Sequence, residues 1–84
     1  MSKEMDRWLD ICTLLRIRES DDEILIIPTE NEGSYKRLEF KILNEKFTDE
    51  YKDTLLEVLR LSDRFETSFK NGKLKVAVYV DLFT

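Results

Sequence analysis

Three observations predict an α+β fold in the order αββαββ. An Asn71-Gly72 pair separates two segments that each alternate apolar and polar residues, Arg64 to Lys70 and Lys73 onward. That dipeptide is the strongest short-range signal of a two-residue hairpin, because both central positions of a type I′ turn need positive φ. Two other stretches, near residues 4–16 and 49–62, space their apolar residues by three and four, which is the period of a helix with one buried face. Between them, a short apolar run closed by proline precedes a second alternating segment, which reads as another hairpin. The economical arrangement of these parts is a four-stranded, mostly antiparallel sheet with two helices packed on one face. A chain of 84 residues makes one domain, residues 1–84.

In the first helix Met5, Trp8, Ile11, Cys12 and Leu15 share a face, and Asp6, Arg7, Asp10 and Thr13 lie opposite. Ile17 falls on the polar side at 100° per residue, so the helix is expected to end near Arg16 or Arg18, with Ser20-Asp21-Asp22 as a turn. Glu23 to Thr29 is the first strand. Pro28 cannot donate to a ladder and therefore puts this strand at a sheet edge or ends its pairing there. Asn31-Glu32-Gly33-Ser34 reverses the chain into a strand from Tyr35 to Asn44, where Leu38, Phe40 and Ile42 alternate with Arg37, Glu39 and Lys41.

Thr48 is suited to cap the second helix, and Asp49 and Glu50 complement its positive end. Tyr51, Leu55, Val58, Leu59 and Ser62 form its inward stripe, with an end near Ser62. The Asn71-Gly72 turn then dictates a register in which Phe69 opposes Leu74, Thr67 opposes Val76 and Phe65 opposes Val78. These six share one face, expected to lie under the helices. Lys70, Ser68, Glu66 and Arg64, opposed by Lys73, Lys75, Ala77 and Tyr79, occupy the other.

Composition excludes several functions. The longest uninterrupted apolar run is Ile24 to Ile27, far short of the roughly 20 residues that a membrane-spanning helix needs. The mixed charges of Met1 to Arg7 do not resemble a secretory leader, so a cytoplasmic location is expected. One cysteine forms no internal disulfide, in keeping with a reducing compartment. The absence of histidine removes the commonest general acid–base residue and the commonest zinc ligand. Cys12 sits in an apolar stripe with no base to ionise it and reads as structural. Asp21-Asp22-Glu23 and Glu30/Glu32 lie at opposite ends of the first strand, about 20 Å apart at the usual rise, and neither group follows the calcium-loop pattern. No glycine loop for phosphate is present. Neither catalysis, nor a metal, nor a cofactor is therefore expected.

What remains is surface. Opposite the helices, Arg37, Lys41, Arg64, Lys70, Lys73, Lys75, Tyr79 and Phe83 outnumber Glu39, Glu66 and Asp81, giving a net-basic face with aromatics. In the first strand Ile24 and Ile26 point one way and Leu25 and Ile27 the other, so one apolar pair must reach that open face. Ile24 and Ile26 are assigned to it here, and a second copy of the chain or another protein is the natural cover. The expected function is that of a small, non-catalytic protein-interaction domain (an adaptor, inhibitor or regulatory subunit). Its contact surface would be Ile24, Ile26, Arg37, Lys41, Lys73, Lys75, Tyr79 and Phe83, or the acidic helix surface of Asp49, Glu50, Asp53 and Glu57. The alternative is single-stranded nucleic-acid binding on the basic-aromatic face, although the glycine and paired aromatics of an RNA-recognition signature are missing.

Overall fold

The structure, a computed structural model, describes residues 3–29 and 33–82. Glu30, Asn31, Glu32 and Phe83, invoked above for a loop, a carboxylate group and the sheet face, lie outside the described residues. The elements run α1 (Lys3–Ser20), β1 (Ile24–Ile27), β2 (Tyr35–Ile42), α2 (Asp49–Leu61), β3 (Arg64–Lys70) and β4 (Lys73–Asp81). The four strands form one sheet in the order β1-β2-β4-β3, and every neighbouring pair is antiparallel. No helix among the described residues is long and apolar enough to cross a membrane.

The β3–β4 hairpin has the expected register, with Phe69 opposite Leu74, Thr67 opposite Val76 and Phe65 opposite Val78. Its turn is left-handed at both central residues, with φ of 55° at Asn71 and 75° at Gly72. A Cβ on Gly72 would meet nothing within 4 Å, so only its backbone angle opposes a side chain there. Gly72→Ala is expected to destabilise the fold by about 1–2 kcal/mol through that angle alone, readable as a lower urea midpoint with an unchanged slope.

The core lies between the helices and one sheet face. Trp8, Ile11 and Leu15 of α1 and Tyr51 and Val58 of α2 meet Ile24, Phe40, Ile42, Val76, Val78 and Val80. The α2 cap is as the sequence predicts: the Tyr51 N–H donates to the Thr48 hydroxyl oxygen at 3.2 Å. Phe47, just before the cap, packs its ring 4.7 Å from that of Tyr51.

Two expectations need correction. First, α1 does not stop at Arg16 or Arg18 but continues to Ser20. Arg18, three residues beyond Leu15 on the same stripe, is only 4% exposed. Its guanidinium donates to Glu23 Oε1 at 2.8 Å and to Glu50 Oε1 at 3.2 Å, and these partners make burial of the charge tolerable. The Glu23 carbonyl in turn accepts the Tyr51 hydroxyl at 2.9 Å and the N–H groups of Leu43 and Asn44. One residue thus ties the end of α1 to both hairpin strands and to the start of α2.

The second correction concerns β3. Phe65, Thr67 and Phe69 do face the helix side, but no helix covers them, and all seven residues of the strand are exposed. The reason is where α2 is held. Arg18 grips Glu50 at the start of α2, and Arg7 donates to the Leu61 carbonyl at its end at 2.8 Å and pairs with Asp63 at 3.1 Å. These two arginines clamp α2 antiparallel alongside α1, and an open groove separates its Leu55 and Leu59 from Phe65 and Thr67 of β3.

Tyr51 carries a pH signature. Burial pushes its phenol up to about 12, the Glu23 charge adds to the rise, and Arg18 pulls against it. A folded value above the ordinary value of about 10 means that its contribution to stability is complete below pH ~10 and is lost as pH climbs through ~12. Tyr51→Phe is expected to flatten the alkaline loss of stability in that window, measured as urea midpoints across a pH series.

Candidate interaction surface

The middle of the outer sheet face carries a network of charges around Tyr79. Arg37 donates to the Tyr79 hydroxyl at 2.9 Å and also pairs closely with Glu39. The Tyr79 hydroxyl donates to Glu66 at 3.3 Å, and Lys75 reaches the other oxygen of Glu39 at 3.6 Å. The hydrogen bond from Arg37, ahead of the cost of burial, holds the Glu39 carboxyl below its usual range. Arg64 lies over the Tyr79 ring at 4.3 Å and pairs with Asp81 at 3.5 Å. Tyr35 tilts against Tyr79 with ring centroids 5.8 Å apart. Cross-strand pairing of this kind is how an exposed antiparallel face stabilises itself.

The structure separates the residues expected to form that face. Arg37, Lys41, Lys75 and Tyr79 lie on it together, and Lys73 lies beside the hairpin turn. Ile24 and Ile26 do not. Ile24 pairs with Ile42 and is 1% exposed, and Ile26 pairs with Phe40 and packs against the core, so both point toward the helices. Leu25, 45% exposed, and Ile27 take the outer positions instead, opposite Lys41 and Glu39. Four consecutive apolar residues carry no alternation, so only the pairing with β2 could decide between the two sets.

The acidic surface of α2 is largely engaged within the chain. Glu50 receives Arg18, Glu57 pairs with Arg60, and Asp49 lies 3.8 Å from Lys52. The Arg60 hydrogen bond holds the Glu57 carboxyl below its usual range. Asp53 is exposed, with no ion pair among the described residues. Cys12 is half-buried in the α1 stripe; burial pushes its thiol up, against the pull of Arg16 and Lys36. Asp21 lies 3.8 Å from Arg18, and Glu23 is committed to that same guanidinium. No group of three or more potential metal ligands occurs among the described residues.

The surface that sequence reasoning missed is on the helix side. An open apolar groove of about 170 Å³ runs between α2 and β3. Phe40, Leu74 and Val76 form its floor, Leu55 and Leu59 its α2 wall, and Phe65 and Thr67 its β3 wall. Around it stand exposed apolar side chains: Phe47, Leu56, Phe65 and, at 77% exposure, Phe69. Single exposed hydrophobes are ordinary, whereas a contiguous set beside an apolar groove marks a contact surface. The alternation of β3 was visible in the sequence, but it reports which side chains share a face and not what lies above them. Comparison with protein-family models, with curated proteins and with solved structures finds no match to this chain.

Proposed function

We propose that this chain is a small, non-catalytic protein-interaction domain of the cytoplasm, an adaptor, inhibitor or regulatory subunit, working through its α2–β3 side. The observation that carries the reading is the uncovered β3, whose Phe65 and Phe69 project beside the apolar groove. Aromatics in a desolvatable groove are what interface hot spots are built from. On the outer sheet face Arg37, Arg64 and Lys75 are paired within the chain, leaving Lys41, Lys70 and Lys73 as solvated cations, and three of the four acids on α2 are paired, so neither surface presents a contiguous apolar area in need of cover.

The alternative of single-stranded nucleic-acid binding, through Arg37, Lys41, Lys70, Lys73, Lys75 and Tyr79, has less support. Base stacking needs an open aromatic face, yet Tyr79 is 7% exposed and lies beneath Arg64. The test compares wild type with Phe65→Asp and Phe69→Asp in cross-linking capture and in single-stranded oligonucleotide binding. Both changes fall on exposed side chains, so the fold is retained. The expected result is loss of the captured protein with either variant and no oligonucleotide binding at low salt. Capture indifferent to both variants, or oligonucleotide affinity that falls steeply with salt, would overturn the reading.

A further inference from the structure

We infer that the partner for this surface is a second copy of the chain, joined through β3 paired antiparallel with itself; the inference rests on the protein-interaction reading above. The two edges of the sheet differ in how their backbone groups are met. In a two-residue hairpin the residues flanking the turn, Lys70 and Lys73, form a hydrogen-bonded pair, and such pairs alternate along the ladder. The backbone groups of Phe65, Thr67 and Phe69 therefore point away from β4, toward the free edge, and nothing among the described residues caps them.

The opposite edge is closed. On β1 the outward Ile26 N–H donates to Glu19 Oε2 at 2.8 Å, and Pro28 ends the strand. Capping, shortness and proline are among the means by which a sheet edge is kept from pairing, as are charged side chains. β3 has only the last: it runs seven residues without proline, with its edge open and its aromatic face uncovered, and its charges Arg64, Glu66 and Lys70 are of both signs and so can pair across a self-association.

Charge then selects the register. Self-pairing that keeps Phe65, Thr67 and Phe69 on the same face as in the second copy must be centred on a residue of β3, and only centres at Glu66, Thr67 and Ser68 pair five or more of its seven residues. Centring on Glu66 sets that carboxylate against its own copy, and centring on Thr67 sets Arg64 against Lys70 at both ends. Centring on Ser68 sets Glu66 against Lys70 at both ends, an opposite-charge pair in close, non-hydrogen-bonded positions. Thr67 of one copy and Phe69 of the other then exchange their backbone hydrogen bonds. The same register puts Phe69 across from Thr67, the small side chain in the groove wall, so that each Phe69 enters the groove of the other copy.

The test is sedimentation equilibrium of the full chain over a concentration series. Wild type is expected to pass from monomer to dimer, and Glu66→Lys to weaken the dimer about tenfold, because both attractive pairs become repulsive. Glu66→Lys combined with Lys70→Glu is expected to restore it, and Asp53→Lys, an equal charge change on α2, to leave it unaltered. Circular dichroism of each variant verifies the fold. A chain monomeric at every concentration, or a dimer indifferent to Glu66→Lys, overturns self-pairing. If that monomer still captures a protein that Phe69→Asp loses, the interaction reading survives alone; if it does not, both fall.

Discussion

Arg18→Met is expected to destabilise the protein by about 3–5 kcal/mol, because it strands a buried carboxylate. Glu23 is 8% exposed and has Arg18 within 2.8 Å as its ion-pair partner. Methionine fills much of the arginine's volume, so the loss is mainly electrostatic and only secondarily a cavity. The other two carboxylates in reach, Asp21 and Glu50, are largely exposed and return to water at little cost. A loss of this size is a large share of the roughly 5–15 kcal/mol that holds a domain of ordinary stability. Arg18 Nε itself has no hydrogen-bond partner among the described residues, so the pair is incompletely satisfied even in the native state. Arg18→Met combined with Glu23→Leu is accordingly expected to recover most of the loss, since exchanging a whole buried pair for apolar side chains is often neutral or favourable. Urea unfolding of the two single variants and the double variant measures the coupling. A double variant no better than Arg18→Met would assign the loss to packing instead.

Phe40→Ala is expected to cost about 3–5 kcal/mol, the usual range for truncating a buried phenylalanine. Phe40 is 1% exposed, sits in the central strand β2 between Ile26 and Val76, and floors the groove. Removing the ring would deepen that groove into the core. Phe69, on the same face of the same sheet, supplies the contrast. At 77% exposure its truncation in the monomer should change stability by no more than about 0.5 kcal/mol. Thermal or urea unfolding at a concentration too low for association separates the two cases. A large cost at Phe69 under those conditions would mean that β3 is covered after all.

The hairpin from Arg64 to Asp81 was legible in full because its turn chemistry and its alternation are both local: Asn71-Gly72 admits one short loop, and one loop admits one register. The αββαββ order was legible for the same kind of reason, and Pro28 allowed either an edge strand or an end to pairing, both of which hold for β1, an edge strand that stops at Ile27. Arg18 was not, because a hydrophobic-periodicity argument scores an arginine as polar. The available signal was its place three residues after Leu15 on the stripe, with Asp21 and Glu23 just downstream to neutralise it. The facing of Ile24 and Ile26 depended on a pairing with β2 that their own composition does not encode. The bare β3 depended on where two arginines hold a helix, a tertiary fact with no local trace. Each failure fell where a long-range contact overrode or completed a local pattern.

Amide hydrogen exchange at Thr67 and Phe69, followed residue by residue over a concentration series, tests the α2–β3 contact surface most directly. In the isolated chain these two N–H groups face solvent at the open edge and should exchange rapidly. Their protection is expected to rise with protein concentration, in step with the dimer. Exchange that stays fast at concentrations where sedimentation detects dimer, with protection gained instead at the outward N–H of Ile24 on β1, would contradict self-pairing through β3.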